Sequence, residues 1–139
     1  MSLKEKSAWL QAISATCMYA AYLVVVLGPA RSASVTGTAY QRPMITIIVA
    51  GIVVSIVAQI VMGMTSPGAA GRTDERDIGI HRHGEYVGYY VVSAGAAAAL
   101  ALAMAEADPF WIANVIFLAF VLAAVVTSVV KIVAYRRGF

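Results

Sequence analysis

The stretch GRTDERDIGIHRHGEYVGYY, Gly71–Tyr90, gathers four of the chain's seven acids, three of its ten bases and both histidines. Thr73 is a good N-cap, and Asp74 and Glu75 then fall in a first helical turn, where carboxylates meet the positive end of the helix dipole. A helix that starts at Asp74 and runs on past Tyr90 turns by about 100° per residue. Asp74, Asp77, His81, Gly84, Glu85 and Gly88 then share one face, while Arg76, Ile80, His83 and Val87 fall on another. Gly79 and Gly84 are the points at which such a helix would kink. Asp77–His81 and His81–Glu85 stand at i,i+4 and Arg82–Glu85 at i,i+3, the spacings at which charged side chains meet on one helix.

Three chemistries fit this pattern. The first is a solvated, self-paired helix that positions the next apolar segment. The second is a docking surface for a protein or for a sister subunit. The third is a metal or catalytic site. His81-x-His83 is a poor chelate, because residues two apart diverge on a helix. Asp77, His81 and Glu85 are better placed to share an ion, yet three ligands beside water need others to hold it. No metal or cofactor is expected. The segment sums to about one net negative charge, whereas a lipid-binding polybasic patch needs a cluster of roughly 4–8 lysines or arginines.

The elements that position this segment are set by composition. Of 139 residues, 61% are hydrophobic and 12% charged, against about 45–50% and about 25% in soluble domains. Such a chain cannot cover its surface with polar groups. Residues 8–28, 44–64, 86–105 and 110–130 form four runs free of Asp, Glu, Lys, Arg and His. Each has the roughly 20 residues that cross a ~30 Å hydrocarbon core as a helix. The expectation is one all-α membrane domain of four antiparallel spans. The first run exceeds the 7–15 residues of a signal-peptide core and is read as a retained span.

Lys4, Lys6, Arg72, Arg76, Arg82, Lys131, Arg136 and Arg137 fall on one side of this arrangement, and only Arg31 and Arg42 on the other. Basic flanks stay in the cytoplasm. Both termini and the segment 71–85 are therefore expected there, in a multi-pass protein of the inner membrane. The net charge of +3 is explained by this bias, and no nucleic-acid partner is implied. Residues 30–43 form an external, irregular loop, and Glu106 and Asp108 lie in a short external turn. Tyr86, Tyr89, Tyr90, Trp9, Phe110 and Trp111 are expected at headgroup depth. Cys17, the one cysteine, is expected to be a buried, inert thiol.

DERDIGI, Asp74–Ile80, with a span after it, resembles a family of small uncharacterised bacterial and archaeal integral membrane proteins. These carry an Asp-Glu-Arg motif with an isoleucine shortly after it in the central cytoplasmic loop of four helices. The resemblance places Asp74, Glu75, Arg76 and Ile80 at the marked positions. It implies the layout and carries no activity.

Within the spans, Gln59 and Asn114 are the most polar side chains, suited to hydrogen bonds between helices. Ser93, Thr127 and Ser128 can bond back to their own backbone. Gly51 with Ser55, and Gly84, Gly88 and Gly95, offer small faces for close helix packing. More such surface is present than one small bundle needs, so a homo-oligomer is expected. A proton-coupled exporter would place a carboxylate inside a span, and none is there. No nucleophile–base pair, C-x-x-C or phosphate loop points to an enzyme. The function read from the sequence is regulatory or interactive: Asp74, Glu75, Arg76 and Asp77 dock a cytoplasmic partner, flanked by His81 and Glu85. The alternative is a small oligomeric transporter, or a binder of a lipophilic ligand within the bundle.

Overall fold

The computed structural model describes residues 3–28, 36, 39–64 and 75–137. They form four helices: α1 (Leu3–Leu27), α2 (Gln41–Met64), α3 (Glu75–Met104) and α4 (Pro109–Arg137). All four are long and apolar enough to cross a membrane. The helix ends obey local chemistry. The Gly28 amide donates to the Val24 carbonyl (3.0 Å) and closes the last turn of α1. α2 begins at Gln41, so residues 41–43, expected in the loop, belong to its first turn. Pro43 is tolerated there because first-turn amides have no intrahelical acceptor to lose. The Met44 amide then makes an i→i−4 bond to the Tyr40 carbonyl, 3.0 Å away.

α3 is unbroken over 30 residues, and neither Gly79 nor Gly84 interrupts it. Its expected cap at Thr73 and first residue at Asp74 lie outside the described residues. At its other end Glu106 takes a left-handed φ of 54°. The Ala107 amide reaches the Leu102 carbonyl and the Glu106 amide that of Ala103, which together close the last turn. Asp108 is exposed, as expected of a loop charge, and it also caps α4: its Oδ1 accepts from the Phe110 amide at 2.8 Å.

α4 is the centre of the bundle. α3 and α1 both pack along it, and α2 leans mainly on α1. The α3–α4 seam is built on glycine. A Cβ at Gly84 would stand 2.9 Å from the Lys131 side chain; one at Gly88 would collide with Thr127 Oγ1, and one at Gly95 with the Ala119 methyl. Close approach lets Thr127 Oγ1 donate to the Gly84 carbonyl at 3.2 Å, across the seam rather than back along its own helix as expected. Ser128 does bond its own helix, at the Ala124 carbonyl (2.7 Å). Ile80 is 0% exposed and lies with Asp77, Gly84 and Gly88 on the inward stripe of α3, not on the separate face expected. A helical wheel centred on the charges misplaces it; apolar contact with the bundle sets the true centre.

One end of the bundle is closed by aromatic rings. Tyr22, Val26, Phe110 and Phe117 form its buried core. Tyr22 meets Phe117 edge-on at 5.0 Å, and Tyr40 meets Phe110 likewise at 5.1 Å. Phe110 is thus core, and only its neighbour Trp111 is exposed as expected of an interfacial ring. The Tyr22 hydroxyl donates to Asn114 Oδ1 (2.7 Å), whose amide nitrogen donates to the Phe110 carbonyl (2.8 Å). Asn114 is therefore held as a strut between α1 and α4. Cys17 is exposed on the outer surface of α1, contrary to the buried thiol expected.

Candidate functional site

The other end of the bundle is polar, and three ion pairs gather there. Lys4 on α1 meets Asp77 on α3 at 3.1 Å, Arg136 on α4 meets Glu5 on α1 at 3.3 Å, and Lys131 on α4 meets Glu85 on α3 at 2.7 Å. Arg136 also stands over the Trp9 ring, 5.8 Å from its centroid. Every pair joins two helices. The pairing expected along α3, of His81 with Asp77 and Glu85 and of Arg82 with Glu85, gives way to these bonds for a physical reason. An i,i+4 pair in water is worth only a few tenths of a kcal/mol. A lysine held among apolar helices must find an anion, because an unpaired charge there is far more costly.

The Lys131–Glu85 pair is uneven. The lysine side chain is 11% exposed and the carboxylate 57%. The lysine stem crosses Gly84, which has no side chain to block it, and so brings its ammonium to Glu85 one residue further on. Only Glu85 Oε1 is engaged by this bond, and the rest of the carboxylate faces open space.

That open space is a cavity of about 530 Å³ among all four helices. Its polar wall comprises Lys4, Ser7, Gln11 and Ser14 from α1, Ser55 and Gln59 from α2, His81 and Glu85 from α3, and Lys131 and Tyr135 from α4. Leu10, Val54 and Ala58 supply apolar wall. The cavity exists because α2 packs on α1 and stands off α3 and α4. A smaller recess beside it is lined by Gln11, Glu85, Gly88, Tyr89 and Thr127 among others, so Glu85 borders both.

The residues singled out by sequence divide accordingly. His81, Glu85, Gln59 and Ser55, read separately as segment charges and span polarity, meet on one cavity wall. Glu75 and Arg76 are exposed at the start of α3, and Asp77 turns inward to Lys4. Asp74 lies outside the described residues. Asn114 belongs to the closed end, and Gly51 faces the Met18 thioether of α1. Gly84, Gly88 and Gly95 all face α4. Those glycines serve packing within the chain, so they no longer supply a surplus surface for self-association.

Asp77 and Glu85 turn to different lysines and do not converge on His81. Among the described residues no three of His, Cys, Asp and Glu stand together as a metal site. Sequence reading misses Lys4, Gln11, Lys131 and Tyr135 as site residues. Lys131 carries one signal. It is separated from Arg136 by four uncharged residues, so it sits more than a helical turn deeper than the basic terminus with which it groups by charge. Comparison with known proteins gives no relative: no family model, curated protein or solved structure matches the chain.

Proposed function

We propose that this chain is a multi-pass inner-membrane protein with four antiparallel spans, its termini and the start of α3 in the cytoplasm. Two observations support that orientation. The ion pairs tie the beginnings of α1 and α3 to the end of α4, and the basic residues concentrate at that same end. With Cys17 replaced by serine, a cysteine at Thr36 should react with an impermeant thiol reagent applied to intact cells. One at Glu75 should react only after the membrane is opened. The reverse pattern would overturn the orientation.

Its function on this reading is regulatory or interactive, with the first turns of α3 docking a cytoplasmic protein. The observation that carries it is the unbroken α3. At ~1.5 Å per residue its 30 residues extend about 45 Å, well beyond a ~30 Å hydrocarbon core. The surplus stands at the polar end as a rigid projection of a span locked to α4. Glu75, Arg76, Ile78 and Arg82 are exposed on it, and Ile78 is an apolar side chain among charges, the composition of an interface anchor. The likeness of DERDIGI to the four-helix membrane family belongs to this proposal, with Glu75 and Arg76 outward and Ile80 as the packing residue that fixes them. Replacing Glu75, Arg76 and Ile78 together with alanine should remove a co-purifying cytoplasmic protein while membrane insertion persists. Asp77 is left in place because its bond to Lys4 holds the bundle. An unchanged set of co-purifying proteins would sink the docking reading. Self-association is also part of the proposal, and its support is α2, which has no buried residue.

A second reading is favoured by the cavity: a binder or carrier of a ligand within the bundle. Concave sites with a few convergent polar groups among apolar walls are the usual form of small-ligand sites, at about 300–1,000 Å³.

A further inference from the structure

We propose that the cavity binds the head of a membrane amphiphile that carries both a phosphate and a primary ammonium, a lipid of the phosphoethanolamine type. This rests on the second functional reading, in which the cavity is a ligand site.

Depth favours a lipid head. Trp9, Tyr86, Tyr89 and Tyr90 are exposed around this end of the bundle. Tyr89 lines the recess that shares Gln11 and Glu85 with the cavity, and Trp9 lies under Arg136. Exposed tyrosine and tryptophan mark headgroup depth, so the polar wall stands where lipid heads are. Access favours it as well. α2 packs chiefly on α1, has few contacts with α3 and buries no residue, which leaves the α2–α3 side of the cavity the least closed by packing. An acyl chain can leave by that side while its head stays inside.

Charge selects the head. Lys131 of α4 and Lys4 of α1, bonded to Glu85 and Asp77, line the cavity together with the half-exposed Glu85 side chain. A purely anionic head would meet Glu85, and a purely cationic one would meet the two lysines. A head with both signs satisfies both, its phosphate toward the lysines and His81, its ammonium toward the open oxygen of Glu85. Gln11, Gln59 and His81 line the cavity with exposed polar side chains. A primary ammonium has three N–H donors to offer Glu85, Gln11 and Gln59, whereas a trimethylated one has none.

The test uses the full chain in mild detergent, with native mass spectrometry after addition of dioleoyl phosphatidylethanolamine, phosphatidylcholine or phosphatidylglycerol at equal concentration. The phosphatidylethanolamine adduct should exceed each of the others by about tenfold, the ratio expected of one charge-assisted hydrogen bond gained. Glu85→Gln should erase the preference over phosphatidylcholine. Gln59→Leu, on α2 and outside every ion pair, should weaken it without disturbing the fold. Retention of all lipids with no preference, or a preference that survives both substitutions, would overturn the headgroup assignment. Retention of none would overturn the cavity reading itself and leave the docking reading to its own experiment. Displacement of bound lipid by soluble glycerophosphoethanolamine at matched concentration would also overturn the proposal, by giving the head to a soluble molecule.

Discussion

Gly88→Leu is expected to abolish the folded bundle, and Gly88→Ala to destabilise it by about 1–3 kcal/mol, the usual cost of forcing atoms into a packed seam. A Cβ there falls on Thr127 Oγ1, a short branched side chain packed in the seam, while the Ala123 carbonyl at 3.6 Å stands in ordinary contact. A side chain larger than a methyl also needs α3 to move away from α4. That movement would also break the Thr127 bond to the Gly84 carbonyl and draw Glu85 from Lys131. The seam contact and both bonds therefore fail together. Gly63 is the control: nothing lies within 4 Å of a Cβ built on it, and Gly63→Ala should be neutral or slightly stabilising through helix propensity. Unfolding of both alanine variants in mixed micelles, monitored by helical circular dichroism, reads the difference. Equal stabilities would show that the glycine seam does not support the bundle.

The second large effect is an asymmetry within one ion pair. Glu85→Ala leaves the Lys131 ammonium, only 11% exposed, without its carboxylate. A loss of about 1–3 kcal/mol is expected, the cost of leaving a buried polar group unsatisfied. Lys131→Met keeps the stem that crosses Gly84 and removes the charge. Glu85, more than half exposed, then stays in contact with water, and a change below about 1.5 kcal/mol is expected. Adding Lys131→Met to Glu85→Ala should restore most of what the single variant loses. A cycle in which both single variants cost the same, or the double variant is worse than either, would contradict the burial pattern. The same micelle titration measures all four proteins.

Much of the architecture is a property of single residues counted along the chain, and is legible for that reason. Helix number and approximate extent come from uncharged runs of membrane length, since a backbone in hydrocarbon must bond to itself. The bias of basic residues toward one end needs only loop counting. The Asp108–Pro109 turn is visible too, although the capping bond to Phe110 that makes it tight is not. The rotation of each helix about its own axis is not legible. In lipid, burial no longer distinguishes the inside of a bundle from its outside, because hydrocarbon is as apolar as leucine. α2 shows this most plainly: it is apolar all round, and no residue of it is buried.

Ile80 falls on the wrong face of a charge-centred wheel for the same reason. The charged segment reads as pairing with itself because local spacing is the only geometry a sequence offers. The sequence by itself determined that the chain has four helices long and apolar enough to cross a membrane, and which end collects charge. Only the tertiary structure decided that Asp77 and Glu85 turn to lysines of other helices, and that Gln59 of α2 shares a cavity with His81 of α3. The two ion pairs join residues 73 and 46 positions apart in sequence (77 less 4, and 131 less 85). The Lys131–Glu85 pair depends on a glycine seam that draws α3 onto α4, and on the need of a buried ammonium for an anion within reach.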